Sequence, residues 1–190
     1  MKRFIVRRGI LRKILSHYCN TEPGHLRFGY GENGKPGLVP MADKQSIHFN
    51  VSHSDGVALF AFSRDHEIGV DIERVRGIDD VEQIARRFFS KKENDALRVL
   101  SYRKKKEAFF NCWTRKEAYI KATGAGMACP LDQFEVSLIP GEPARILRIM
   151  EDRQAAEQWS IHALYPAAGY KAALAVESRG LRLSCHEWIW

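Results

Sequence analysis

Two carboxylates lie two positions apart in the segment Gly69-Val-Asp-Ile-Glu73, as Asp71 and Glu73. Side chains of a strand alternate between its faces, so this spacing places both carboxylates on the same face. Two neighbouring acids repel each other unless a cation lies between them, and Mg²⁺ is held by one or two carboxylates together with substrate phosphates. The pair therefore indicates either a magnesium site or a solvated strand face whose charge is balanced by Arg74 and Arg76.

A third carboxylate and a lysine recur at helical spacing farther along the chain. Trp113, Glu117 and Lys121 are each four residues apart, which places them on one helix face. One interpretation is a helical ion pair between Glu117 and Lys121, worth roughly 0.2–0.5 kcal/mol. The other is that Glu117 adds a carboxylate to the metal site while Lys121 presents its ammonium group to a phosphate.

Ser52 and His53 lie where a predicted strand enters the turn Ser54-Asp55-Gly56. His53 is either a packed histidine bonded to its own turn, or a donor that binds a phosphate together with Ser52 and the turn backbone. The residues alone leave both interpretations open.

The elements that must position these residues follow from hydrophobic periodicity and from helix start and stop signals. In the first helix, the rows Val6-Ile10-Ile14 and Leu11-Leu15-Tyr18 form the expected buried side. Helices are predicted from the first segment up to Pro23-Gly24, from Asp79 or Asp80 to Phe89, from the capping box of Ser90 and Glu93, and over 105–123 with Gly124 as the stop. Strands are predicted at 26–30, 47–52, 57–63, 68–74, 133–138, 144–150, 159–165, 170–176 and 181–188.

This order of elements predicts an α+β fold of two similar halves, each a helix-flanked antiparallel sheet. The halves are expected at residues 1–75 and 76–190, with the site at their junction near residues 74–77. A chain of 190 residues buries roughly 70% of its unfolded surface, so it needs neither a disulfide nor a structural metal to fold.

Composition excludes several classes of protein. A hydrophobic content of 45% and a charged content of 28% exclude a disordered or collagen-like chain, and no apolar run approaches the ~20 residues of a membrane helix. The net charge of +7 favours a polyanionic partner. Nucleic acid is not expected, because the basic run at 103–106 lacks interleaved aromatic residues. The four scattered cysteines lack zinc-site spacing and predict reduced thiols in the cytoplasm.

Five segments, taken in order, resemble the 4′-phosphopantetheinyl transferases: Gly34-Lys-Pro36, Phe49-Asn-Val-Ser-His-Ser54, Gly69-Val-Asp-Ile-Glu73, Arg87-Phe-Phe-Ser-Lys91 and Trp113-Thr-Arg-Lys-Glu-Ala-Tyr-Ile-Lys121. The likeness is to the larger, surfactin-synthetase-activating type with two pseudo-symmetric halves, and it extends from Arg3 to Val176. It implies transfer of the 4′-phosphopantetheine arm of coenzyme A to a serine of an acyl or peptidyl carrier protein, with release of 3′,5′-ADP.

The resemblance also implies roles for individual residues. Asp71, Glu73 and Glu117 match the family's Mg²⁺ site, where Glu117 is either a ligand or the base acting on the carrier serine. Lys121 matches the lysine that contacts the phosphate and helps the leaving group. Contacts with coenzyme A are expected at Arg3, Lys35, Ser52, His53, Lys116 and Lys121.

The same resemblance sets expectations for the partners. The carrier protein is expected to be acidic, and the chain to be a cytoplasmic monomer that binds neither nucleic acid nor membrane. Members of this type usually carry a segment upstream of the helix that begins here at Arg3, so a chain starting at Met1 is expected to offer coenzyme A one or two fewer cations. The alternatives are a catalytically impaired member of the family and a basic, non-catalytic module that binds an acidic protein.

Overall fold

The computed structural model describes residues 2–40, 46–77, 80–150 and 154–188, which form an α+β fold. None of the helices in these ranges is long and apolar enough to cross a membrane. The helices are α1 (Lys2–Cys19), α2 (Val81–Phe88), α3 (Lys91–Arg98) and α4 (Tyr102–Thr123). The strands are β1 (Phe28–Tyr30), β2 (Pro36–Leu38), β3 (Ile47–Ser54), β4 (Val57–Arg64), β5 (Ile68–Arg74), β6 (Phe134–Val136), β7 (Ile146–Ile149), β8 (Ser160–Leu164) and β9 (Tyr170–Val176).

The strands pair antiparallel throughout the described part of the chain. β1 pairs with β2, β3 with β4, and β6 with β7, while a three-stranded sheet has the order β5-β9-β8. The predicted α+β class is confirmed. β5 precedes the predicted boundary at residue 75 and yet pairs along its whole length with β9, which belongs to the second half. The division into halves at that residue stays a prediction.

Local signals located several elements closely. The predicted strands at 68–74 and 170–176 coincide with β5 and β9. Ser90 Oγ accepts a hydrogen bond from the Glu93 amide at 3.2 Å, and the Glu93 carboxylate accepts one from the Ser90 amide at 2.8 Å, which confirms the capping box. Gly124 ends α4 in the left-handed conformation, with φ of 69°. Asp80 precedes α2 without a side-chain cap, and Asp79 lies outside the described residues.

The strand predicted at 181–188 is wrong. This stretch is exposed and forms no strand. Leu181, Leu183 and Cys185 alternate with polar residues as in a strand, but none of the described strands pairs with this stretch, and Leu181 and Leu183 each remain 41% exposed. Instead the end of the stretch returns to α1, where the ring of Trp188 lies 5.6 Å from the Lys13 ammonium.

One of the two apolar rows of α1 supplies most of its buried face. Leu15 and Cys19 are buried and pack with Leu11 against Phe49 of β3. Val6, from the other row, remains 43% exposed. The Leu11-Leu15 row therefore anchors α1 to the β3–β4 hairpin.

α4 packs directly on β5, and one glycine makes the approach possible. A Cβ atom at Gly69 would lie 2.2 Å from the backbone oxygen of Ala118 and 2.3 Å from the backbone nitrogen of Ala122. Real Cβ atoms do not approach backbone atoms so closely, so any side chain at this position would push α4 away from β5. The contact brings the two elements that carry the candidate site residues together.

Candidate active site

Asp71 lies at the centre of the site, where β3, β5 and α4 meet. Its side chain is 5% exposed. One carboxylate oxygen, Oδ1, accepts hydrogen bonds from Ser52 Oγ at 2.9 Å and from the Lys121 ammonium at 2.6 Å. The other oxygen, Oδ2, is buried and has no hydrogen-bond partner among the described residues. An orphaned buried carboxylate oxygen is costly, so it indicates a missing ligand.

The two other carboxylates face the same region. Burial raises the pKa of Glu73, a hydrogen bond from Ser54 opposes the rise, and the charge of Asp71 adds to it. Burial also raises the pKa of Glu117, and the charges of Asp71 and Glu73 add to this effect while Lys121 opposes it. The three acids therefore lie close enough for their charges to repel one another.

Lys121 pairs with β5 rather than with its own helix. Its salt bridge joins Asp71, and its ammonium also donates to Ser52 Oγ at 3.2 Å. The salt bridge that the structure records for Lys121 is thus with Asp71 and not with Glu117 of its own helix. The phosphate-binding role of Lys121 stays a prediction. The lysine side chain remains 31% exposed, which leaves its ammonium within reach of a ligand.

The donor set suits a hard cation, although the carboxylates are not gathered around a metal position. Among the residues that the structure describes, no group of three or more His, Cys, Asp or Glu side chains is placed to hold a metal ion. The Lys121 ammonium instead supplies the positive charge beside Asp71. Carboxylate oxygens are the ligands that Mg²⁺ prefers, and the free Oδ2 of Asp71 offers such a ligand. The chemistry of these donors fits a magnesium ion, whereas their spacing in the metal-free structure does not yet form a complete ligand set.

Ser52 reaches Asp71, whereas His53 lies on the opposite face of β3 and Arg3 contacts the turn of the β3–β4 hairpin. His53 follows Ser52 on β3 and therefore points to the opposite face, where it is exposed. Arg3 donates from Nη1 to the backbone oxygen of Asp55 at 2.9 Å, in the hairpin turn. Asp55 also forms a salt bridge with Arg74 at 2.8 Å. Cations thus surround this turn.

Lys35 lies at the C-terminal end of α4. Its ammonium forms a salt bridge with Glu67 at 2.5 Å and donates to the backbone oxygen of Ala122 at 2.6 Å. A cation bonded to the last carbonyl groups of a helix stabilises that end. The structure therefore joins Lys35 to the last turn of α4, at Ala122, which directly follows Lys121.

Lys116 requires a correction, because the structure does not bring it to the site. Its side chain is fully buried, and its ammonium contacts the Glu93 carboxylate at 2.8 Å and the backbone oxygens of Leu131 and Phe134 at 2.6 Å and 2.5 Å. A ligand in solvent cannot reach this group without opening the core. Lys116 joins α4 to α3 and β6, and the expectation that it contacts coenzyme A is wrong for this fold.

Two polar residues of β3 were not singled out by their sequence pattern. Asn50 Oδ1 accepts the Val70 amide at 3.0 Å, and Ser54 Oγ donates to Glu73 at 3.0 Å. Their signal is visible as polar side chains at every second position of an otherwise apolar strand, in Asn50, Ser52 and Ser54. That pattern shows a polar strand face, but it does not show which element the face meets.

Comparison with known proteins places this geometry in a family. The family model described as 4′-phosphopantetheinyl transferase superfamily matches residues 67–175, which include β5, α4 and all but the last residue of β9. The chain is 42% identical over 179 residues to the 4′-phosphopantetheinyl transferase HetI of Nostoc sp., with 94% of this chain and 72% of that protein covered. It is 36% identical over 129 residues to the 4′-phosphopantetheinyl transferase Sfp of Bacillus subtilis, with 68% of this chain and 55% of that protein covered.

A solved structure is similar to part of the chain. The holo-(acyl-carrier-protein) synthase of Bacillus anthracis, in complex with CoA (3′,5′-ADP), matches with a TM-score of 0.46 and 20% identity over 59% of this chain and 96% of that chain. The sequence matches confirm the predicted family, including its larger type, and the predicted class of enzyme. The chain belongs to the 4′-phosphopantetheinyl transferase superfamily.

Proposed function

We propose that the site at the junction of β3, β5 and α4 transfers the 4′-phosphopantetheine arm of coenzyme A to a serine of a carrier protein. The observation that carries this proposal is the combination at Asp71: a buried carboxylate oxygen without a partner among the described residues lies beside a lysine ammonium that is still partly exposed. Phosphoryl transfer needs cations where charge develops in the transition state. The site supplies one cation, the Lys121 ammonium, and its carboxylates can bind a metal cation as a second.

Asp71, Glu73 and Glu117 would hold Mg²⁺. When bound, Mg²⁺ neutralises the charge of the coenzyme pyrophosphate and polarises its phosphorus. Burial is the largest cause of the raised pKa values of Glu73 and Glu117, and the charge of Asp71 raises both further. This repulsion supports the assignment because a divalent cation would relieve it.

The reaction needs a base and a stabilised leaving group. The serine oxygen of the carrier bonds to the β-phosphorus, and the bond from that phosphorus to the bridging oxygen breaks, so that 3′,5′-ADP leaves with the electron pair. Glu117 is suited to accept the serine proton, because burial raises the pKa of its carboxyl group above its ordinary value and makes it a stronger base. Lys121 is suited to stabilise the leaving phosphate, because its ammonium is partly exposed next to Asp71. Glu117 can alternatively serve as a metal ligand.

The remaining basic residues are assigned to coenzyme A. Arg3 and His53 lie at the hairpin end, where Arg3 already donates to a backbone oxygen, and a phosphate of the coenzyme can replace that acceptor. Ser52 lies beside Asp71, and its hydroxyl would have to leave Asp71 Oδ1 before it could donate to the pyrophosphate. Lys35 would have to leave Glu67 before it could bind the coenzyme.

The carrier protein is proposed to be acidic and to dock next to β9. A shallow hollow of about 670 Å³ there is lined by the cations Arg103, Lys106 and Lys171 and by one acid, Glu107. Lys171 is the cross-strand neighbour of Glu73, so the hollow begins one strand away from the site. Along α4, ten residues separate Glu107 from Glu117, or about 15 Å at 1.5 Å per residue. A carrier domain of ~100 residues has a radius of gyration of ~13 Å, so it can touch the hollow and the site together.

The chain is proposed to act as a monomer in the cytoplasm. Residues from both predicted halves, Ser52 and Lys121, meet at the site within one chain, so a second copy is not needed to build it. Light scattering should give a mass near 21.8 kDa; a stable dimer or trimer would contradict this part of the proposal. The four cysteines form no disulfide with one another, which agrees with a reducing compartment.

The test is a transfer assay read by intact mass. The purified chain is incubated with coenzyme A, Mg²⁺ and an apo acyl carrier protein, and the carrier is expected to gain one phosphopantetheine arm. A carrier whose acceptor serine is replaced by alanine should gain nothing. Asp71→Asn should lose transfer while its circular dichroism stays unchanged. A carrier that binds without being modified would support the non-catalytic alternative instead.

A further inference from the structure

Backbone amides on the edge of β5 that faces β3 donate their hydrogen bonds to side chains of β3 instead of to its backbone. The amides of Val70, Ile72 and Arg74 donate to Asn50 Oδ1 at 3.0 Å, Ser52 Oγ at 3.3 Å and Ser54 Oγ at 3.0 Å. These acceptors occupy every second position of β3, so they share one face. We call Asn50, Ser52 and Ser54 the polar ladder.

Ser52 and Ser54 of the polar ladder each make a second hydrogen bond, which Asn50 does not make. Ser52 Oγ donates to Asp71 Oδ1 at 2.9 Å, and Ser54 Oγ donates to Glu73 Oε2 at 3.0 Å. A serine hydroxyl has a single proton to donate. Because each hydroxyl oxygen accepts a β5 amide, its proton is available for the neighbouring carboxylate. The backbone of β5 thus fixes the position of each hydroxyl, and the hydroxyl holds one oxygen of each acid.

This arrangement selects which carboxylate oxygens remain for a ligand. Asp71 is held by Ser52 and also by Lys121, so its orientation has two supports. For Glu73, the Ser54 hydroxyl is the hydrogen-bond donor that the structure records. Glu73 also has one more rotatable bond than Asp71 and is less buried. Its carboxylate therefore depends most on the polar ladder.

We propose that Ser54 is a positioning residue that holds the Glu73 carboxylate where it can share a hard divalent cation with Asp71. The proposal rests on the cation site of the proposed function. Outer groups that orient metal ligands change metal affinity about 10–100-fold when they are removed. Ser54 thereby acts through Glu73 and touches neither the phosphate nor the carrier serine.

The polar ladder supplies its own matched control. Asn50 binds a β5 amide as Ser54 does, but it holds no carboxylate of the site. A variant at Asn50 therefore reports the loss of a ladder bond alone. A variant at Ser54 loses the same kind of bond together with the support of Glu73.

The experiment measures Mg²⁺ binding calorimetrically, without coenzyme or carrier, and follows each variant by thermal unfolding. We expect Ser54→Ala to weaken Mg²⁺ binding about tenfold, Ser54→Thr to keep affinity because it keeps the hydroxyl, and Asn50→Ala to lose stability but not affinity. In a Glu73→Gln background, Ser54→Ala should change affinity no further, which also tests the role if the single variant folds poorly.

Three results would overturn the proposal. Unchanged Mg²⁺ affinity in Ser54→Ala would show that Glu73 needs no such support. An equal loss of affinity in Asn50→Ala would reduce the polar ladder to a structural connection between the strands. Absence of Mg²⁺ binding by the unmodified chain would contradict both the positioning role of Ser54 and the proposed cation site. Equal Mg²⁺ binding by the unmodified chain and by Ser54→Ala would contradict the role of Ser54 only.

Discussion

Replacing Lys121 by methionine removes the positive charge that neutralises Asp71 in the metal-free protein. Methionine keeps most of the length and apolar contact of the lysine side chain, so the main loss is the 2.6 Å contact between the ammonium and Asp71 Oδ1. Asp71 is 5% exposed and cannot recover that interaction from bulk water. We therefore expect the variant to be destabilised, and we expect a divalent cation to offset the loss.

The magnitude follows from the type of bond. A hydrogen bond to a charged group contributes about 1.5–3 kcal/mol. Because the Lys121 side chain is 31% exposed, solvent screens part of its charge, and we take about 2 kcal/mol. For a chain of this length each kcal/mol shifts the melting temperature by roughly 2–4 °C, so Lys121→Met should melt about 4–8 °C lower without metal.

Thermal unfolding with EDTA and with saturating Mg²⁺ tests this reasoning. In Mg²⁺ the difference from the unmodified chain should shrink to less than about half, because the cation neutralises the same carboxylates and binding to the folded state stabilises it. Lys105→Met is the matched control. Lys105 lies on α4 as Lys121 does, but its salt bridge with Glu82 of α2 is outside the site. The stability lost in Lys105→Met should therefore be the same with EDTA and with Mg²⁺. An equal destabilisation of Lys121→Met in both buffers would refute the shared role of ammonium and metal.

Three further predictions concern acidity, packing and docking. Burial raises the pKa of Glu117 above its ordinary value of 4.5. At this carboxyl group the metal-free fold therefore binds more protons than the unfolded chain, and the fold loses stability as the pH rises from about 4.5 through the raised pKa. Glu117→Gln should stabilise the metal-free protein at pH 7 but not below pH 4, and a gain of equal size at both pH values in urea titrations would contradict this. Gly69→Ala should destabilise the fold by about 1–3 kcal/mol or more because its Cβ would overlap the α4 backbone; an unchanged denaturation midpoint would show that α4 can shift freely. Arg103→Glu with Lys106→Glu should raise the KM for an acidic carrier without changing the KM for coenzyme A, whereas Lys104→Glu, outside the hollow, should change neither. An effect of Lys104→Glu about half as large as that of the double variant would point to net charge alone, because the double variant reverses two charges and the control reverses one.

Elements whose bounds depend on neighbouring residues could be predicted from the sequence. The capping box of Ser90 and Glu93 and the left-handed stop at Gly124 involve contacts within a few residues, so local spacing determines them. The alternation of side chains along β5 likewise suffices to place Asp71 and Glu73 on a common face. What the spacing leaves open is the partner of that face.

The polar ladder and the role of Lys116 depend on contacts far along the chain. Ser54 binds a residue 19 positions away, and Lys116 reaches a glutamate on α3 and carbonyl groups beyond α4. Because Lys116 is next to Glu117 in sequence, spacing alone cannot show that one faces the core and the other the site. For Lys121, helical spacing favoured a partner on its own helix, but the close approach of α4 to β5 at Gly69 brought Asp71 nearer. The catalytic, metal-binding and coenzyme-binding roles assigned to the site residues, including Arg3, Lys35 and His53, stay predictions.

The central claim is that the carboxylates and Lys121 transfer the phosphopantetheine arm, and an intact-mass time course tests it most directly. Apo acyl carrier protein, coenzyme A and Mg²⁺ are incubated with the unmodified chain, with Asp71→Asn and with Lys121→Met, and folding of each protein is verified by circular dichroism. We expect the carrier to gain the arm with the unmodified chain, no gain with Asp71→Asn, and a kcat lowered more than the KM for coenzyme A is raised with Lys121→Met. Undiminished transfer by folded Asp71→Asn would contradict the claim.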